Sequence, residues 1–221
     1  MRVRRHAATV VVLLLLIGTA VAFAETERLK LEPTAIEESY VQPAFSPVCR
    51  CPEARATIRI RLHRADTVTV RVVDLSGDTV RLLLDHRRLP RGRTQLEWDG
   101  RDDGGMQAPD GQYKVDVRLA RASRSFTLPR ATTLDTVPPT VRRVSYVRKG
   151  DRLRIVYRLS ERAHGVLFVN GRRTVVTYTS HPSAKLQWMV GPRRRYLLQL
   201  AGLDLAGNLG PRSRPAVLRL R

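Results

Sequence analysis

The sequence predicts an all-β protein made of two tandem antiparallel β-sandwich domains that follow an N-terminal apolar segment. Short runs alternate apolar and polar residues with a period of two, which is typical of strands with one buried face. Turn-forming residues bound these runs, and two adjacent prolines, Pro138 and Pro139, divide the pattern. No segment after residue 24 shows a sustained helical period. These features together favour sandwiches over mixed folds.

Residues 1–24 have the composition of an export signal. A cationic start precedes an apolar run over residues 7–24, which ends in the small-residue pattern Ala22-Phe23-Ala24. This pattern predicts cleavage before Glu25. An uncleaved anchor is the alternative, because about 18 apolar residues can just span a bilayer. In either case the rest of the chain is expected outside the cell, secreted or held by a single N-terminal membrane helix.

The first domain is predicted over residues 48–133, after a polar, proline-containing tether at residues 25–47. Its inward faces are expected to carry Ile58, Ile60, Leu62, Val68, Val70, Val72, Leu82, Leu84, Leu96, Trp98, Tyr113, Val115, Val117, Leu119, Phe126 and Leu128. Trp98 and Tyr113 are predicted to pack between the sheets, since large aromatic side chains are more often core residues than ligand platforms.

The second domain is predicted over residues 134–221. Strands are expected at residues 144–146, 153–159, 166–169, 175–178, 186–190, 196–200 and 217–220. Asn170-Gly171 between two apolar runs is a strong hairpin signal, because both residues tolerate positive φ. Residues 58–80 and 153–175 also align loosely, as a strand, a polar corner, a second strand and a glycine turn. We therefore interpret the second domain as a diverged repeat of the first.

The acidic stretch WDGRDDGGMQAPDGQYKV, residues 98–115, has two interpretations. As a twelve-residue calcium loop it would place Asp99, Asp103 and Asp110 at the first, fifth and twelfth positions. Its third ligand position would then be Arg101, a cation facing a cation, and no flanking helices are predicted. The aspartates and glycines also suit a connector between strands. The connector is the favoured interpretation, and the three aspartates stay a weak calcium candidate.

The two cysteines, Cys49 and Cys51, are separated by one residue. In an exported chain they are candidates for a disulfide that pins a local loop. Pairing between two chains is the next alternative. A metal site is less favoured, because no histidine or third cysteine lies nearby.

No catalytic residue, resident metal or cofactor is predicted. The histidines at positions 63, 86, 164 and 181 are scattered in polar or turn contexts, and no nucleophile motif is present. Asp102 and Asp103 are adjacent, so their side chains are expected to diverge. These observations argue against an enzyme.

The chain is strongly basic, with a net charge of +20 from 40 lysines and arginines against 20 acidic residues. Many arginines alternate with apolar residues, as in IRIRL at 58–62 and RLRI at 152–155, which predicts them on the solvent faces of strands. Such a surface would attract anionic envelope polymers or lipid headgroups. Arginine-rich codon usage in a GC-rich genome is the other explanation. Export and an aromatic content of 5% argue against nucleic acid as a partner.

Three runs in the first domain carry a resemblance to a known family. They are VTVRVVDLSGDTVRLL at 68–83, LPRGRTQLEWDGRDDGG at 89–105 and APDGQYKVDVRL at 108–119. In order and spacing they resemble the FlgD-type immunoglobulin-like domain, over roughly residues 45–130. FSP at 45–47 resembles the start of related envelope modules, but the cysteine pair stands where those have a polar loop. DTVPPTV at 135–141 and DLAGNLG at 204–210 resemble the ends of bacterial Ig-like repeats.

The resemblance implies an Ig-like recognition or spacer module without catalysis. We therefore expect a cell-envelope protein that acts as a binding or structural module, held near anionic wall polymer or membrane. One alternative is an accessory subunit of a larger surface assembly, docked on another envelope protein through a sheet edge. A cryptic wall hydrolase is the less favoured alternative. Fold-level likeness alone assigns no partner.

Overall fold

The computed structural model describes residues 13–23 and 34–220. Residues 13–23 form a helix, α1, with exposed side chains. No helix among the described residues is both long and apolar enough to cross a bilayer. The predicted cleavage site between Ala24 and Glu25, the cationic start of the leader and residues 25–33 of the predicted tether lie outside the described residues.

The described chain beyond residue 33 is mostly β and forms two halves, which we call the first half (residues 36–134) and the second half (residues 141–219). The strands of the first half are β1 (Ile36–Val41), β2 (Ala44–Phe45), β3 (Ala56–Leu62), β4 (Asp66–Val73), β5 (Thr79–Leu89), β6 (Gly92–Trp98), β7 (Gly111–Leu119), β8 (Arg124–Thr127) and β9 (Thr132–Leu134). A short 3-10 helix, Pro52–Ala54, precedes β3.

Two sheets enclose the core of the first half. One has the strand order β1-β3-β6, and the other has the order β2-β9-β7-β4-β5 with β8 paired to β7. The period-two residues point inward from both sheets: Ile58 and Ile60 from one, Val70 and Val115 from the other, all at most 1% exposed. The alternation in the sequence therefore corresponds to the packing of a sandwich.

The prediction of a tether at residues 25–47 is wrong for its last part. Residues 36–41 form β1, which pairs antiparallel with β3, and β2 adds the start of the other sheet. Val41 and Phe45 are fully buried in the core. Proline content suggested a linker, but Pro43 lies in the gap between β1 and β2, where no ladder hydrogen bond is lost. The pairing of β2 with β9 is parallel, which departs from the all-antiparallel prediction.

The strands of the second half are β10 (Val141–Lys149), β11 (Arg152–Val169), β12 (Arg172–Val176), β13 (His181–Met189), β14 (Arg195–Leu203) and β15 (Ala216–Arg219). The first part of β11 lies between β10 and β13. Its last part pairs with β12 and β14, and β15 follows β14. One long strand thus joins two layers, and a second hydrophobic core lies between them.

The sequence predicted two strands where the structure has the single strand β11. The polar residues at 160–162 suggested a corner, yet the chain stays extended and the register with β13 shifts between Arg158 and Ala163. Ala163 is fully buried. Gly165 lies directly beneath the ring of Tyr157, where any Cβ would overlap that ring. The extended path through the polar stretch therefore depends on small residues at the crossing point.

Candidate functional site

A cationic surface covers the outer face of the sheet formed by β10, β11 and β13. Side chains directly opposite one another on paired strands share a face, so the register assigns twelve exposed residues to it. These residues, which we call the basic face, are Arg143, Ser145, Val147, Lys149, Arg152, Arg154, Val156, Arg158, Ser183, Lys185, Gln187 and Met189. Six of them are cations and none is acidic.

The cations of the basic face make no ion pair with any residue in the described ranges. The ion pairs of the described chain all join residues of the first half. Arg143 lies opposite Arg158, and Lys149 lies opposite Arg152. Like charges opposite each other in a sheet are destabilising. This arrangement therefore costs folding stability and leaves positive charge free to meet an external anion.

The relief of the basic face is shallow. Val147, Lys149, Arg152, Arg154 and Gln187 line a depression of about 370 Å³ near the hairpin end of the sheet. Neighbouring strands in a sheet are about 4.8 Å apart, so adjacent cations lie within the reach of one extended polyanion. A flat, repetitive cationic lattice of this kind suits a polymer or a charged surface better than a small substrate.

The structure does not bring the three calcium candidates together. Asp99 Oδ1 accepts a hydrogen bond from a backbone N–H two residues along the chain, at 3.1 Å. Asp103 Oδ1 accepts one from the Leu82 N–H at 3.0 Å, and Asp110 accepts from both the N–H and the hydroxyl of Thr136. Each carboxylate holds a different segment. Across the described ranges no three His, Cys, Asp or Glu side chains are grouped as a metal site.

The aromatic residues of the acidic stretch lie inside the first half. Trp98 is 1% exposed and packs against Phe45 and Tyr113, with ring centroids 5.2 and 4.8 Å away. Its indole N–H donates to the Arg101 carbonyl at 2.8 Å, and the Tyr113 hydroxyl donates to the Pro109 carbonyl at 2.6 Å. Burial raises the pKa of Tyr113 above its ordinary value. The connector is thus fastened to the core by two aromatic side chains.

Cys49 and Cys51 form a disulfide, with Cα atoms 5.3 Å apart. The loop it closes lies against the second half, because Gly207 sits beside Cys51 Sγ with no room for a Cβ. Gly207 also has a φ of +92°, which favours glycine. The cysteine loop therefore forms part of the contact between the two halves, together with the segment that joins them.

The joining segment is held by the loop after β14. Asn208 is 5% exposed, and its side-chain amide donates to the Asp135 carbonyl and to Asp204 Oδ2, each at 2.8 Å. Asp204 Oδ1 accepts from the Asn208 N–H at 2.8 Å. This network fixes the chain where one half passes into the other.

Acidic side chains cluster where the two halves meet. We call this place, with Asp135, Glu161 and Asp204, the joint. Burial raises the pKa of Asp204, and the hydrogen bonds from Asn208 oppose that effect. Burial also raises the pKa of Glu161, and the nearby carboxylates of Asp135 and Asp204 add to the rise. The joint thus favours protonated carboxyl groups more than solvent does.

One segment of the first half matches a known protein family. Residues 52–123 match the FlgD Ig-like domain family. The matched segment runs from the 3-10 helix through β7 and contains the acidic connector. Strands β1, β2, β8 and β9 lie outside it and complete its two sheets. No curated protein matches the chain.

Several solved structures are similar to parts of the chain. The fibronectin(III)-like modules of Clostridium thermocellum CbhA share 10% identity, with 83% of this chain and 94% of that chain covered and a TM-score of 0.44. FlgD from P. aeruginosa shares 16% identity over 67% of this chain and 98% of that one, with a TM-score of 0.32. The Salmonella enterica SafA pilin in complex with the SafB chaperone shares 12% identity over 85% and 99%, with a TM-score of 0.31.

The family match gives general information about catalysis and about cellular location. FlgD-type and Ig-like families are generally non-catalytic, and no enzyme family matches the chain. FlgD-type domains are typically exported. The fold is compatible with a non-catalytic binding or structural module.

Sequence reasoning found the alternation of arginine with apolar residues but not the basic face itself. Alternation places Arg152 and Arg154 on one side of a strand. It does not show which other strands pair with that strand. The turn at Lys149-Gly150-Asp151 was a usable signal, because a hairpin there sets Val147 opposite Arg154. The contribution of Lys185 had no such signal, since β13 reaches β11 only after an intervening hairpin.

Proposed function

We propose that this protein is an exported, non-catalytic cell-envelope module with two tandem Ig-like sandwiches, and that its basic face binds an anionic envelope polymer or lipid surface. The observation that carries the proposal is the set of six cations on one acid-free sheet face, none of which makes an ion pair with another described residue. Like-charge neighbours lower folding stability, so a bound polyanion would recover that cost. Arginine also suits this role, because its guanidinium matches phosphate and carboxylate oxygens in pairs.

The proposal predicts binding that depends on ionic strength. Protein lacking residues 1–24 should be retained by purified envelope fractions at 0.1 M salt and released at 1 M salt, since the screening length falls from about 10 Å to about 3 Å. Co-sedimentation measures the retained fraction. Retention that is unchanged between the two salt concentrations would contradict the electrostatic mechanism. Salt-resistant co-purification with a single protein would instead favour an accessory subunit.

A matched pair of variants locates the binding surface. The triple variant Arg152→Gln, Arg154→Gln, Arg158→Gln removes three cations of the basic face, and we expect it to lose most of the retention at 0.1 M salt. The control triple Arg87→Gln, Arg88→Gln, Arg118→Gln removes the same charge from exposed positions of the first half. Equal losses in the two triples would mean that net charge, and not the basic face, is responsible.

A further inference from the structure

A second cationic feature lies at one end of the first half, remote in sequence from the basic face. The loop between β3 and β4 and the turn between β7 and β8 together line a cleft of about 410 Å³. Arg64 comes from the loop, Arg121 from the turn and Arg124 from the start of β8. We call this feature the arginine cleft. Its volume falls within the range of about 300–1,000 Å³ that is usual for ligand sites.

The cleft is held open by short side chains and by one buried carboxylate. Ala35, Ala65 and Ala122 line it, so the described residues leave the volume between the loops unfilled. Asp66, at its floor, is 9% exposed and accepts from the N–H groups of Arg121 and Ala122 at 2.8 and 3.2 Å. It also accepts from the Thr67 N–H at 2.6 Å. The turn that carries Arg121 is therefore tied to the floor of the cleft.

The charge in the cleft is unbalanced toward the positive. Among the lining residues that the structure describes, Asp66 is the one carboxylate, and Arg64 and Arg121 already outnumber it. Its oxygens are engaged by backbone N–H groups and form no ion pair with them within the described ranges. Glu37, behind the lining residue His63, is paired with Arg61 at 2.8 Å and with His63 at 2.7 Å. Neither Arg64 nor Arg121 has an acidic partner in the described part of the chain.

We propose that the arginine cleft is a binding site for a phosphate group. Guanidinium groups present paired N–H donors that match two oxygens of one phosphate, and such charge-assisted pairs are strong. Arg64 lines the cleft from the loop and Arg121 lines it from the turn, so a phosphate bound in the cleft would accept from both. The apolar alanines and Leu119 provide room for the carbon-containing group attached to that phosphate. The same chemistry occurs on a phosphate-bearing polymer and on a phospholipid headgroup.

This site goes beyond the proposed function and does not depend on it. The basic face lies on β10, β11 and β13. The cleft is built from the connection between β3 and β4 and the connection between β7 and β8. The cleft selects one anionic group by geometry, and the basic face attracts many charges by density. Removing one of them is expected to leave the other intact.

The test is calorimetric titration of the purified protein with inorganic phosphate. We expect saturable binding with one site per chain. In Arg64→Gln with Arg121→Gln, affinity should fall by about tenfold for each lost charge-assisted pair. Arg64→Lys with Arg121→Lys keeps the charge but removes the paired donors. Its affinity for phosphate should lie between that of the unaltered protein and that of the double glutamine variant. The control Arg71→Gln with Arg130→Gln should bind as the unaltered protein does.

Two further probes distinguish the sources of the phosphate. Soluble polyphosphate and phosphatidylglycerol vesicles are compared, with phosphatidylcholine vesicles as the neutral surface. The source of the phosphate is identified by comparing two variants. It is the probe that binds more weakly to the Arg64/Arg121 variant but binds undiminished to the basic-face triple variant. No saturable binding of inorganic phosphate, or equal affinities in the cleft variant and the Arg71/Arg130 control, would overturn the site. Either result would leave the salt-dependent envelope binding to be judged separately.

Discussion

Single residues decide how closely the segments at the joint approach. Gly210 donates its N–H to the Gly202 carbonyl at 2.8 Å, and a Cβ at position 210 would overlap the Pro139 carbonyl oxygen. The obstacle is backbone, so no side-chain rotation can relieve it. Glycine is required here for space and not for an unusual φ.

We therefore predict that Gly210→Ala lowers the free energy of unfolding by about 1–3 kcal/mol, the usual cost of overpacking. Denaturant titration measures the change. Gly104→Ala is the matched control, because its new Cβ would meet only the Asp102 carboxyl group, with Oδ1 3.3 Å away, and no backbone atom. We expect the control to change stability by less than about 0.5 kcal/mol. An equally small change in Gly210→Ala would mean that the joining segment can move away.

At the scale of elements, the chain crosses from one sheet to the other at a corresponding place in each half. In the first half β3 ends, a loop over residues 63–65 crosses, and β4 continues in the opposite sheet. In the second half the unbroken strand β11 makes the same passage through a register shift. The loose internal repeat in the sequence thus corresponds to the crossing point. The cysteine loop is a local element that only the first half has.

Removing the disulfide should have a modest effect. It closes a loop of three residues, and the chain-entropy estimate for so short a loop is about 1.5 kcal/mol. We expect Cys49→Ser with Cys51→Ser to lose about that much unfolding free energy in denaturant titration. Reduction of the unaltered protein should give the same loss. A loss above about 4 kcal/mol would show that the loop also holds the two halves together through Gly207.

At the scale of the whole molecule, charge is distributed unevenly. The basic face carries unpaired cations, and the joint between the halves carries clustered carboxyl groups whose pKa values burial raises. A carboxyl group with a raised pKa binds more protons in the folded state than in the unfolded state. The contribution of these groups to the free energy of unfolding therefore falls as the pH rises from the ordinary carboxyl range through their raised pKa values.

Glu161→Gln tests this linkage. The substitution removes a carboxylate that faces Asp135 and Asp204, so the decline of stability between about pH 4 and pH 7 should become shallower. Unfolding free energies measured across that range give the slope. Asp151→Asn, in an exposed turn, is the control for the change in net charge. If the curves of Glu161→Gln and the unaltered protein run parallel, the acidic joint does not govern the pH dependence.

The sequence predicted much of the strand content. Alternation identified the inward residues of β3, β4 and β7 because side-chain direction in a strand is a local property of the backbone. It failed at β5, where Leu82 is 38% exposed, because bulges shift the register with β4. It also failed for residues 36–45, whose burial depends on partners distant in the chain.

What the sequence determined by itself is the β character, the division at the two prolines, the cysteine pair and the FlgD-type runs, because each depends on local backbone preference or on a short segment. Only the tertiary structure decided which cations of different strands share a face, that Arg64 and Arg121 line one cleft, and that Asn208 holds Asp135. Those relations arise from long-range strand pairing. Beyond single hairpins such as the one at residues 149–152, such pairing is set by the packing of the whole core, and no local pattern encodes it.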